Sequence, residues 1–196
     1  MSAHKPLEGV KVVELASFVA APTAGRMMAE MGADVIRVES TAGDPWRFYG
    51  ANCGLPITDE ENPLFDIYNL GKKDIQLNTK TPEGKEILFH LLDEADVFIT
   101  NNRLKSLVRS GLDYESLKDR FPKLIYGLVT GYGQTGPDVD APGYDGVAFF
   151  SRSGMLADMA EPSGYPASAP GCIGDGALAV SVQRFLTGCV QEKAIL

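Results

Sequence analysis

The stretch from Val10 to Glu39 constrains this chain more than any other. Residues 10–15, VKVVEL, form the short apolar run of a buried strand. Residues 22–31, PTAGRMMAEM, read as a helix. Pro22 sits near its start, where a missing N–H leaves nothing unpaired, and Gly32 stops it. Residues 33–39, ADVIRVE, are a second strand. A strand, a helix and a strand within about thirty residues predict two parallel strands joined by a right-handed crossover.

The alternation continues. Strands are expected over 72–78, 96–100 and 124–133, and helices over 81–95, 106–111 and 113–121. Thr81, Pro82 and Glu83 supply a cap, a first-turn proline and a charge that suits the positive helix end. Asp113 is placed to cap the helix that follows it. Residues 40–63 and 134–176 are rich in turn formers and read as irregular, and a last helix starts near Gly176 and runs through Arg184. The expected fold class is α/β, a Rossmann-like parallel sheet flanked by helices. Open sheets of this kind bind ligands at the carboxyl ends of their strands, here the loops 16–22, 39–44, 100–103 and 130–137.

A net charge of −8 argues against a nucleic-acid partner, which favours a basic face. Cys53, Cys172 and Cys189 are widely separated, show no metal-ligand spacing, and point to a reducing cytoplasm. The N-terminus lacks the apolar stretch of a secretory signal, and no apolar run reaches the ~18 residues that span a bilayer. A cytoplasmic protein with no membrane partner is therefore expected. His4 lies in the N-terminal tail and His90, read as partly buried, on a helix, so no metal site is expected. There is no dinucleotide fingerprint, P-loop or serine elbow. A carboxylate becomes the main chemical candidate. Asp175 stands between Gly174 and Gly176 in GCIGDGALAV, an apolar setting where a charge is costly unless paired or hydrogen-bonded. Two readings stand for it: the cap of the following helix, or a nucleophile.

The stretch 7–47, LEGVKVVELASFVAAPTAGRMMAEMGADVIRVESTAGDPWR, resembles the opening of the class III CoA-transferases, the CaiB/BaiF family. The order continues in NLGKKDIQLNTKTPEGKEIL (69–88), ADVFITNN (95–102), GYGQTGP (131–137) and the pair Gly174–Asp175. Such enzymes move coenzyme A from an acyl-CoA to a carboxylic acid, so acyl-CoA and acid are the implied ligands, with no metal. The resemblance implies that Asp175 is the nucleophile, passing through a mixed anhydride and an aspartyl-CoA thioester. It implies that Val19 and Ala20 line the thioester end, that Lys72, Lys73 and Arg109 meet phosphates, and that Asn101 and Asn102 contact the ligand. Tyr132 is placed beside the reaction centre. Ser40 stands where some relatives carry a basic residue, and Arg37 or Arg47 is available instead.

The resemblance further implies that residues 1–196 are the N-terminal, CoA-binding part of the interlocked-dimer fold, with a second domain and a C-terminal return segment outside this chain. A homodimer is the implied assembly. A 2-hydroxy acid, of aryllactate or 2-hydroxyisocaproate type, is the implied substrate, with the apolar stretch 146–159 available to shape its pocket or simply to pack. Two alternatives stay open. The 2-methylacyl-CoA racemases of the same fold use a histidine where this chain has Tyr144, whose ordinary pKa of about 10 suits a proton shuttle poorly. A non-catalytic nucleotide-binding fragment is the other.

Overall fold

The computed structural model describes residues 5–166 and 171–195; His4 lies outside them. Five strands, β1 (Lys11–Leu15), β2 (Asp34–Glu39), β3 (Lys73–Gln76), β4 (Val97–Thr100) and β5 (Ile125–Leu128), form one sheet in the order β3-β2-β1-β4-β5. Every pairing is parallel, with Val12 opposite Val35 on one side and Val97 on the other. The expected α/β fold class is what the structure has.

Because side chains alternate along a strand, Val12 and Val13 point to opposite faces and found two cores. On one face Val12, Val35, Val97 and Ile99 pack with Ala21 and Met28 of α1 (Ala20–Glu30) and Leu186 of α8 (Ile173–Ile195). On the other, Val13, Val38 and Phe98 pack with Leu88 and Leu92 of α4 (Pro82–Asp93), Leu107 of α5 (Leu104–Ser110) and Leu117 of α6 (Tyr114–Leu117). The caps read from sequence are present: Thr81 accepts from the N–H of Gly84, and Asp113 from that of Ser116. His90 is exposed on α4 rather than partly buried.

The segment 40–63, expected to be irregular, holds α2 (Trp46–Tyr49) and the 3-10 turn Gly50–Cys53, and α3 (Pro63–Asn69) follows. Helices of four to seven residues leave no periodicity to read. Asn62 caps α3 by accepting from the Phe65 N–H. Residues 134–166 are similarly broken, with a π-helical segment, Asp145–Ser151, and the single turn α7, Met155–Asp158. The last helix, α8, begins at Ile173, before the expected Gly176, and continues past Arg184 to Ile195.

The middle of the sheet carries charge in its interior. Arg37 of β2 is fully buried and donates to Glu14 of β1 (3.2 Å), Glu39 (3.1 Å), Asp44 and Asn69 (2.6 Å). Lys72 closes the cluster, donating to both Glu14 oxygens (3.0 and 2.8 Å), to Asn69 and to the Pro22 carbonyl. Burial pulls the Lys72 ammonium below the ordinary lysine value, and Glu14 opposes that shift. Gly25 of α1 makes the pairing possible, because a Cβ there would stand 2.0 Å from Glu14 Oε2.

Candidate active site

The strand order reverses between β1 and β4, and ligand crevices form at such switch points. Asn101, just after β4, ties the two strand ends together. Its Oδ1 accepts from the Ser17 N–H (3.0 Å) and its Nδ2 donates to the Ser17 carbonyl (2.7 Å). A cavity of about 1100 Å³ opens above this bracket. It is lined by the loops after β1, β4 and β5, and also by α2, the π-helical segment and the first turns of α8. Of the residues named from sequence, Val19, Ala20, Asn101, Asn102 and Asp175 line it together.

Asp175 sits in the first turn of α8, half-buried. It is not the cap of that helix. The cap is Asp145, which reaches across from the π-helical segment: Oδ2 accepts from the Cys172 N–H and Oδ1 from the Asp175 N–H, both at 2.9 Å. Gly174 is required for this approach, since a Cβ there would meet Asp145 Oδ1 at 2.5 Å and Phe149 Cγ at 2.2 Å. The Asp175 carboxylate is thus left free of capping while its backbone is fixed. Burial first, and the Asp145 charge second, push its pKa up to about 6. A carboxylate with a raised pKa is a better nucleophile when ionised, and at neutral pH it is still mostly ionised. Nearby, burial pushes the phenol of Tyr68 on α3 up to about 12, with the Cys172 side chain adding to the shift.

Other expected ligand residues lie elsewhere. The Lys72 side chain is only 1% exposed and is committed to Glu14, so it presents no charge to a phosphate. Lys73 opens β3 and pairs with Asp34 (2.7 Å), which places it at the amino ends of the strands, away from the cavity. Arg109 is exposed on the last turn of α5, and Tyr132 lies under the Arg152 guanidinium, 5.7 Å from its ring; neither lines the cavity. Arg103 and Asp145 line it and escaped the sequence reading. Arg103 lay in the 100–103 loop already marked as ligand-facing, whereas nothing local marks Asp145, thirty residues before the N–H it caps.

A parallel sheet with a half-buried carboxylate lining a large cavity at its switch point is the arrangement of an open α/β ligand-binding domain. More particularly, the chain belongs to CoA-transferase family III, whose sequence profile matches residues 7–184. It is 50% identical over 167 residues to the cinnamoyl-CoA:phenyllactate CoA-transferase of Clostridium sporogenes, covering 85% of this chain and 40% of that one. It is 41% identical over 188 residues to the (R)-2-hydroxy-4-methylpentanoate CoA-transferase of Clostridioides difficile, covering 96% and 47%. A CAIB/BAIF family protein from Brucella suis superposes with a TM-score of 0.89 at 36% identity, over 97% of this chain and 50% of the other. The chain spans about half the length of the proteins it matches. Among the described residues, no helix is long and apolar enough to cross a membrane.

Proposed function

We propose that this chain carries the nucleophile and the thioester-binding loops of an enzyme that transfers coenzyme A from an acyl-CoA to a 2-hydroxy acid. The observation that carries the proposal is the Asp175 carboxylate, freed from capping by Asp145 and facing the switch-point cavity. In the first step an Asp175 oxygen attacks the thioester carbonyl, and CoA thiolate leaves as the mixed anhydride forms. The thiolate then attacks the aspartyl carbonyl, releasing the donor acid with that oxygen and leaving an aspartyl-CoA thioester. The acceptor carboxylate displaces CoA thiolate to form a new anhydride, and thiolate attack on the acceptor's carbonyl frees the new CoA ester and restores Asp175. Splitting one exchange of a carboxylate against a thioester into these steps is what a covalent nucleophile contributes.

Val19, Ala20, Asn101 and Asn102 are proposed to meet the thioester and pantetheine. Arg109 is kept for phosphates that extend beyond the cavity, and Tyr132 for the rim. The acceptor class follows the activities of the two clostridial relatives named above. Three free cysteines fit a reducing cytoplasm, where we place the enzyme. The homodimer rests on family resemblance alone.

Trapping tests the reading. Hydroxylamine added with acyl-CoA should convert Asp175, and no other residue, to a hydroxamate detectable by peptide mass spectrometry. Without the trap, the single-turnover rate of thioester cleavage should fall about tenfold per pH unit well below 6, because only the ionised carboxylate attacks. Asp145→Asn removes the neighbouring charge and should move that acidic limb to lower pH. An unmodified Asp175 together with deuterium wash-in at the acyl α-carbon would instead identify a racemase.

A further inference from the structure

The cavity that Asp175 lines also has an aromatic part to its lining, which includes Phe18, Trp46, Tyr49 and Tyr144. We propose that these rings bind a planar ring on the acceptor acid, and that Asp44 is the positioning residue that holds them; this rests on the transferase reading above.

The rings form one connected wall. Phe18 meets Trp46 edge-on at 6.3 Å and Tyr144 edge-on at 6.0 Å, and Tyr49 stacks on Trp46 at 4.5 Å. They come from three separate segments, so something must fix their relative positions. Asp44 does this for two of them. Its carboxylate accepts from the Phe18 N–H (3.2 and 3.1 Å) and from the Trp46 N–H (2.8 Å), while the buried Arg37 guanidinium donates to it from behind. Phe18 needs that restraint. Its φ of 63° is a left-handed conformation that a bulky side chain adopts only when its surroundings impose it. Tyr144 is positioned from the other side, since the next residue, Asp145, holds the Asp175 backbone. Wall and nucleophile are therefore set against each other through a single peptide unit.

The wall is also incomplete. Tyr49 and Tyr144 remain 46% and 57% exposed, leaving ring surface turned to the cavity without an aromatic partner. Edge-to-face and offset contacts with a further ring stabilise a bound ring beyond its area burial. Charge points the same way. Among the described residues, Arg103 is the one lysine or arginine lining the cavity, against the carboxylates of Asp145 and Asp175. Arg103 is the one such cation placed to meet the second carboxylate of a dicarboxylic acid; anywhere else in the cavity that group would face rings or Asp145, at a cost in desolvation and repulsion. An acid with one carboxylate and a ring satisfies both ends.

The test measures kcat/KM on the complete enzyme for three acceptors: 3-phenyl-2-hydroxypropanoate, the linear 2-hydroxyhexanoate, and succinate. The unsubstituted enzyme should prefer the first. Tyr144→Leu should lower the phenyl-to-linear ratio about tenfold, the equivalent of one or two lost ring contacts, and Tyr144→Phe should restore it. Asp44→Asn should lower the same ratio mainly through KM for the phenyl acid, whereas a purely structural role would depress all acceptors in parallel. A ratio unmoved by Tyr144→Leu, parallel losses in Asp44→Asn, or equal use of succinate would overturn the inference while Asp175 trapping stands. Failure of trapping and of transfer to every acid would overturn the transferase reading and the inference with it.

Discussion

Asp175→Ala should lower CoA transfer by roughly a thousandfold or more, because the covalent route has no other carboxylate to run through. Asp145, the neighbouring acid, cannot replace it while both its oxygens accept backbone N–H bonds. The same substitution should make the fold more stable at neutral pH. The sign follows from the raised pKa. The folded state binds the Asp175 proton more tightly than the unfolded chain, so ionisation of this group opposes folding. The penalty is absent below the ordinary value of 3.8, grows as pH rises to about 6, and is constant above that. The Asp175→Ala variant should therefore gain in urea midpoint at pH 7 and lose that gain as the pH approaches 4. An activity loss with no stability change at pH 7 would mean that the carboxylate is less desolvated than the structure has it.

Arg37→Met should be the most damaging single change away from the cavity, at a cost of about 3–5 kcal/mol. One buried guanidinium serves Glu14, Glu39, Asp44 and Asn69. Without it Glu14 keeps Lys72 and Glu39 keeps Arg47, but Asp44 loses its cationic partner. Three buried carboxylates then face one another across an apolar side chain, and removing one partner of a buried pair costs more than the pair ever contributed. Urea unfolding at pH 8 and pH 5.5 measures the effect. The loss should be smaller at the lower pH, because proton uptake relieves part of the repulsion between carboxylates whose pKa rises once the guanidinium is gone. A loss under 1 kcal/mol would show that the cluster tolerates the vacancy through water or repacking.

Arg37 reads from the sequence as available to a ligand phosphate, but it is fully buried and committed to Glu14, Glu39 and Asp44, so it presents no charge to a ligand. Lys72 likewise reads as a basic residue offered to a ligand, and only the fold shows that it reaches beneath α1 to Glu14. The β-α-β unit at 10–39 and the Thr81–Pro82–Glu83 helix start were legible because their signals are local. The α3 start at Asn62–Pro63 carries the same kind of signal, but seven residues give a helix too short for its periodicity to register. At the site, Asp175 stood out as a carboxylate between glycines in an apolar run. Its local sequence also fits a cap, and only the fold shows that Asp145, in a contact spanning thirty residues, caps α8 instead. Arg103 and Arg109 are six residues apart on and beside α5, and only the geometry shows that the first lines the cavity and the second does not.

Oxygen tracing addresses the central claim most directly. In the route above, the oxygen that bridges the second anhydride comes from the acceptor acid and stays on Asp175 when the new CoA ester departs. Turnover with acceptor acid labelled in its carboxylate with oxygen-18 should place the label in the peptide containing Asp175 and at no other carboxylate. Turnover that forms the new CoA ester while that peptide stays unlabelled would contradict a covalent role for Asp175.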